Sequence, residues 1–369
     1  MAEIDRGGER AQKRARLHAL LDREGLDAIV MRAPHNVAWW SCGGRGHVAV
    51  GDPVAAAAVV VTRDAETVLT TPTEAARMRD EELDALVGDG PEAGARLVVV
   101  PWELPVEAHL PTGDRVVDDV PRYGTLDGRG LLEEARRPLT EEEAQRYRDL
   151  CHDAAIAVTD ATKELMGGMT EYGAAGLLAV ALLDREIEPV VLAVAGTSRI
   201  GRYRQPLPTV ARLGPLAMLA VCGRRHGLHA NLTRFVSFGP LDAGLADAQI
   251  RLLQVEAAYL DALWPGQVVG ETFRAGASTY AGVGFDPEEW RNDNQGGPCG
   301  YLRRDHLATA EDHTPIVVGQ AFAWSPSVPS LRCEDTVLLT DIGLEVLTVD
   351  PRWPTVEISR RMRPMVVER

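Results

Sequence analysis

A carboxylate pair, Glu334-Asp335, opens an apolar, β-prone run, Thr336–Thr340, late in the 369-residue chain. A carboxylate at a strand entrance can face a cleft and exchange protons there, although a solvated strand end is the ordinary reading of an isolated Glu-Asp. Other groups able to do chemistry are sparse. The five cysteines, Cys42, Cys151, Cys222, Cys299 and Cys333, lie far apart and form no CxxC or Cys/His metal spacing. A cysteine nucleophile needs a base and a depressed pKa, which nothing in the sequence supplies. These read as reduced structural thiols of a cytoplasmic protein. Lys13 and Lys163 are the only lysines, which leaves few candidates for Schiff-base chemistry. The loop Cys42-Gly43-Gly44-Arg45-Gly46-His47 has neither GxGxxG nor a P-loop lysine, so it is not a phosphate fingerprint.

The elements that must position Glu334 follow from local pattern. Ala321–Trp324 is apolar and β-prone, and Pro326 and Pro329 bend the Ser325–Ser330 stretch. Val337–Thr340 and Leu344–Thr348 flank Asp341-Ile342-Gly343, a hairpin signal. Upstream, residues 9–24 place Leu17, Leu20 and Leu21 on one helical face, and Gly25 is the stop signal. Leu26–Met31, Asn36–Trp40, Ala55–Thr62 and Arg96–Val100 read as strands, and Thr73–Leu86 as a helix with Thr73 as N-cap. Together they make an α/β domain of roughly 135 residues, an ordinary size. A boundary falls at Arg136-Arg137-Pro138, giving domains 1–136 and 137–369. Thr140 and Glu143 then form a capping box, and Tyr147, Leu150, Ala154, Val158 and Leu165 keep helical spacing. A long helix, a Gly-bearing turn and a second helix occur twice, before Tyr172–Leu183 and, through Leu245–Leu263, before Thr272–Ala281. The repetition suggests two similar halves. Val190–Ala195, Ala217–Cys222 and Leu228–Phe238 read as strands.

The hydrophobic fraction of 45% and charged fraction of 25% describe an ordinary globular chain. A net charge of −15 argues against nucleic acid as a partner. No run approaches a membrane helix, and the charged N-terminus does not read as a signal peptide.

Glu334-Asp335-Thr336-Val337-Leu338-Leu339-Thr340 with Glu345-Val346-Leu347-Thr348 resembles the C-terminal signature of the creatinase/aminopeptidase P/methionine aminopeptidase family. The early strands, the linker and Asn231-Leu232-Thr233-Arg234, similar to that family's Asp-x-Thr-Arg, extend the resemblance over nearly the whole chain. It implies a mixed α/β and α+β architecture: a creatinase-like N-terminal α/β domain, then a pita-bread domain of two pseudo-symmetric halves. The family's metallopeptidases bind two divalent metals with two Asp, one His and two Glu. Carried over residue by residue, those positions are Ala220, Asn231, Asn294, Ser325 and Glu334, with Asp293 the substitute for Asn294 if the register slips by one. One carboxylate with amides does not make a dinuclear site for hard cations. The resemblance therefore implies no metal and no cofactor. Metal-free creatinase has a catalytic His in a segment comparable to Arg202–Thr209, where Gln205 takes its place.

The implied site is then Glu334, His229 and Tyr301 as catalytic groups. Arg45, Gln205, Asn231, Asn294, Ser325 and Arg202 are the substrate-binding groups. Glu334, desolvated among neutral dipoles, is expected to have a raised pKa suited to acid/base work; the blander alternative pairs it with Arg332 or Arg234. His226 or His229 would shuttle protons, His226 being the stronger candidate for a plain loop residue. Tyr301 falls at a second family His, and Arg45 would bind a substrate carboxylate from a neighbouring subunit of a homodimer. The leading expectation is a metal-independent enzyme acting on a small amino-acid-derived substrate by C–N hydrolysis, elimination or cyclisation. The alternatives are a non-catalytic pita-bread binding protein and a regulatory pseudoenzyme.

Overall fold

Leu17, Leu20 and Leu21 are all buried beneath helix Arg6–Arg23, as their shared face requires. The structure, a computed structural model, describes residues 6–83, 86 and 94–369. The chain divides into two units, Met1–Glu143 and Ala144–Arg369.

The first unit is built on a six-stranded mixed sheet. Its order is Arg96–Val99, Glu66–Thr70, Ala57–Val61, Ala28–Met31, Val116–Asp118 and Leu126–Asp127. Three of these were not anticipated: Glu66–Thr70, Val116–Asp118 and Leu126–Asp127. Asn36–Trp40, expected as a strand, belongs to a helix, Pro34–Trp40. Pro34 sits in its first turn, where the missing N–H is harmless and φ is preset, and this outweighs the β-prone Val-Ala-Trp-Trp composition. The helix expected over Thr73–Leu86 starts one residue earlier, at Pro72, with Thr71 in the N-cap position. It runs to Arg77 and passes into a π-helical turn, Met78–Leu83; residues 84–85 of the expected span lie outside the described residues.

The capping box forms as read. Thr140 N donates to Glu143 Oε2 at 2.8 Å, and Glu143 N to Thr140 Oγ1 at 3.2 Å, opening helix Glu141–Thr162. Helix Glu171–Leu183 follows, then a four-stranded sheet of order Val367–Glu368, Leu228–Ser237, Leu216–Arg225, Glu188–Gly196. The pattern repeats: helices Ala243–Asp261 and Val269–Gly282, then a sheet of order Gly296–Cys299, Ala321–Trp324, Asp335–Thr340, Gly343–Val346. These are the two halves that the repeated helix-turn-helix predicted. Asp341-Ile342 closes the expected hairpin, with Thr340 paired to Gly343.

Two features aim the site. His226 and Gly227 have φ of 52° and 78°, so the two-residue turn between Leu216–Arg225 and Leu228–Ser237 is of type I′. It sets Arg224, Cys222 and Ala220 opposite His229, Asn231 and Thr233, all on one face of the sheet. Behind the second sheet lies a core common to both halves, including Phe235, Tyr259, Trp324 and Val337, with Tyr259 stacked on Trp324 at 4.6 Å between centroids.

Candidate functional site

Alternation along the Glu334–Thr336 stretch sends its side chains to different tasks. Asp335 enters a buried ion network: Arg234 Nη2 donates to its Oδ1 at 2.8 Å, and Arg363 Nη2 to its Oδ2 at 2.6 Å. Arg363 also binds Glu256 through two parallel bonds of 2.8 and 2.6 Å. Arg234 is thus spoken for by Asp335 and does not pair with Glu334. Thr336 Oγ1 accepts from Asn231 N at 2.8 Å and donates to Asn231 O at 3.0 Å, tying the two sheets together.

Glu334 is buried. Its Oε1 accepts from Arg304 Nη2 at 2.6 Å and its Oε2 from Thr233 Oγ1 at 2.9 Å, while Arg332 Nε stands 3.6 Å from Oε2. Burial by itself would push this carboxyl up, but the Arg332 and Arg304 guanidiniums more than offset it and hold Glu334 below its ordinary range. This corrects the expectation of a raised pKa among neutral dipoles: the surroundings are two permanent cations, and Glu334 is ionised. Of the two pairings weighed in the sequence, Arg332 is present, and Arg304 was missed. The only sequence signal for it was the Arg303-Arg304 pair soon after Gly300-Tyr301 in a Gly-rich run.

The remaining expected residues divide into those gathered near Glu334 and those that are not. Asn231 is buried, and its Nδ2 donates weakly to the carbonyls of His229 and Arg303, each at 3.4 Å. Gln295 fixes the next segment, accepting from Tyr259 and Tyr280 hydroxyls at 3.2 and 3.0 Å and donating to the carbonyls of Trp290 and Asp293. Asn294 and Ser325 therefore meet, with Ser325 Oγ 3.5 Å from Asn294 O, and Asn294 Nδ2 donates to Asp293 Oδ1. Asp293 is the junction: Gln205 Nε2 reaches its Oδ1 at 3.3 Å, and Arg332 Nη1 stands 3.5 Å from its Oδ2. The Arg202–Thr209 segment that presents Gln205 is anchored where Thr209 N and Oγ1 donate to Glu171 at 2.9 and 2.7 Å.

Arg202 is exposed and lies over the Tyr203 ring rather than at this cluster. Arg45 belongs to the first unit; its side chain is 58% exposed and its Nε is 3.0 Å from Glu82 Oε1. Tyr301 is buried. His226 is a turn residue, as its plainer reading had it. His229 shares the face of Asn231 and Thr233, but burial, and then the nearby Arg224 charge, push its imidazole down to about 3. It is neutral and weakly basic, a poor shuttle at neutral pH. Burial likewise pushes the Cys222 and Cys299 thiols up to about 12 and Cys333 well upward, so none is a thiolate nucleophile. None of the five cysteines is in a disulfide.

The donor set does not suit a divalent metal. Ala220 has no side-chain donor atom, Asn231 and Asn294 offer neutral amides where a hard cation wants carboxylates, and both Glu334 oxygens are engaged. Among the described residues, no group of three or more His, Cys, Asp and Glu could hold a metal ion. Among them, too, no helix is long and apolar enough to cross a membrane.

No family model and no curated protein matches this sequence. Solved structures do. The dipeptidase PepE from Mycobacterium ulcerans superposes with a TM-score of 0.77 at 17% identity, covering 99% of this chain and 100% of its own. The prolidase from Pyrococcus horikoshii gives 0.75 at 17% identity, covering 92% and 99%. The N-terminal domain of the FACT complex subunit SPT16 from Cicer arietinum gives 0.70 at 14% identity, covering 94% and 97%. The chain has the creatinase/aminopeptidase P, or pita-bread, fold over nearly its whole length.

Proposed function

We propose that this pita-bread chain is a metal-independent, creatinase-like enzyme acting on a small amino-acid-derived substrate, by C–N hydrolysis, elimination or cyclisation. The observation that carries the reading is the buried Arg304–Glu334 pair, at 2.6 Å, where the fold's peptidases would need acidic ligands. A guanidinium is a permanent cation able to hold a carbonyl or oxyanion, so charge stabilisation is available from the protein itself. Glu334, ionised, would accept a hydrogen bond from a substrate N–H. Asn231, Asn294, Ser325, Gln205 and Tyr301 would supply neutral hydrogen-bonding contacts.

The test is turnover by chelator-treated protein against a panel of N-substituted small amino acids, followed by NMR of products, with metal content measured on the same sample. Metal-free protein should turn over a panel member, and Glu334→Ala should lower that rate at least a hundredfold. Undiminished turnover by Glu334→Ala would remove the central residue of the reading.

A second reading, a non-catalytic binding protein, is favoured by one specific observation. Glu334 and His229 are both held away from neutral pH, so neither has the poise of a general acid or base there. Ligand binding without turnover across the panel would select it.

A further inference from the structure

Helix Glu171–Leu183 covers the sheet face opposite the candidate site. A Cβ at Gly223 would meet Leu182 Cδ2 at 3.7 Å, and Gly223 faces away from its neighbour Cys222. The far side of this helix is left bare. Tyr172, Gly173, Gly176, Val180 and Leu183 are exposed, and the helix's one charged residue, Glu171, is buried. Tyr172 N donates to Thr209 O at 3.1 Å, which brings the exposed Val210 alongside and extends the apolar surface. A helix apolar on every side is ordinarily a covered one, and a continuous exposed apolar patch marks an interaction surface.

The fold does not require a bare helix there. The second half has an equivalent one, Val269–Gly282: Thr170 and Val268 are the two N-cap residues, and each makes an isolated bridge, to Arg212 and to Pro315 respectively. Counted from those caps, Glu271, Arg274 and Ser278 stand where the first half has Gly173, Gly176 and Val180. All three are exposed, and Arg274 Nη2 lies 2.7 Å from Glu271 Oε1. One chain thus carries a wetted helix in one half and an apolar one in the other.

We infer that helix Glu171–Leu183 is the centre of a two-fold interface between copies of this chain. The charges at its ends identify a second copy as the occupant. Arg212 is exposed beside the N-cap, Asp184 and Glu186 are exposed just past the last turn, and none of the three is in an ion pair among the described residues. A two-fold axis near Leu177 runs the helix antiparallel to its copy, setting Tyr172 against the second copy's Leu183 and Arg212 against its Asp184. A cation placed there also meets the negative end of the partner helix. Gly176, where an added Cβ would have nothing within 4 Å, lets the two backbones approach at the crossing.

The experiment is sedimentation velocity of the full chain at micromolar concentration. The wild type should associate, and Gly176→Arg, which copies the residue at the equivalent place in the second half, should halve the sedimenting mass with an unchanged far-ultraviolet circular dichroism spectrum. Asp184→Arg alone and Arg212→Asp alone should each weaken association tenfold or more. The two together in one chain should restore most of it, because only a second copy carries both reversals. If Gly176→Arg does not fold, Gly176→Cys gives a second readout. Mild oxidation should join two chains through that residue and leave Arg274→Cys unjoined, since none of the five native thiols is exposed. A monomeric wild type, a mass unmoved by Gly176→Arg, a double reversal as weak as the single ones, or no cross-link at Gly176→Cys overturns the inference.

Discussion

Glu334 balances two buried guanidiniums, so replacing it acts mainly through them. Glu334→Leu would leave Arg304 and Arg332 facing an apolar side chain, and breaking a buried pair from one side costs about 3–5 kcal/mol. Urea unfolding should show a loss of that order, and adding Arg304→Met to Glu334→Leu should recover much of it, because the uncompensated charge goes too. The acid dependence has a definite sign. The folded carboxyl lies below its ordinary value of 4.5. Its contribution is therefore complete above that value and is lost as pH falls through the lower, folded one. Glu334→Gln should lack this part of the acid loss in a series of urea midpoints taken below pH 5. The sequence located Glu334, but its environment depended on a contact to a residue thirty positions upstream. Local pattern says nothing about which of several arginines, Arg234, Arg304 or Arg332, turns toward a given carboxylate. Asp335 took Arg234 because it sits one residue on, facing the other way along the strand.

Between elements, helix Val269–Gly282 crosses Ala243–Asp261 at close range. A Cβ at Gly276 would lie 2.3 Å from ring atoms of Tyr259, whose ring in turn stacks on Trp324. Gly276→Ala should therefore destabilise the second unit by about 1–3 kcal/mol, despite alanine's better helix propensity. A stability gain in thermal unfolding would show that Tyr259 can move aside. The two helix pairs, the capping box at Thr140 and the Asp341-Ile342 hairpin were legible because each rests on a period or a turn chemistry contained in a few residues. Pro34–Trp40 was misread because its aromatic and β-branched residues favour a strand, and only the leading proline speaks for a helix. The site was partly legible for the same reason: strand register places Asn231 and Thr233 opposite Cys222 and Ala220. Gln205 meets Asp293 through a loop, which no periodicity encodes.

Acid stability sums over both units, and their buried groups pull in opposite directions. In the first unit, burial raises Asp119 above the usual carboxylate range, against the hydrogen bonds from Arg32, Asn36 and Ala33. A raised folded carboxyl favours the folded state as pH falls toward its value. In the second unit, His229 is held down to about 3 from an ordinary 6.5. The unfolded chain then binds a proton that the folded one does not, and stability falls on acidification through that window. The loss is about 1.4 kcal/mol for each pH unit below the unfolded value. A melting curve of the whole chain mixes these effects, but the difference between wild type and His229→Gln isolates one of them, since Asp119 is common to both. Calorimetry from pH 7 to pH 5 should show the wild type losing more melting temperature than His229→Gln. Parallel curves would mean that His229 takes up a proton inside the folded protein, which would restore it as a proton carrier in the site.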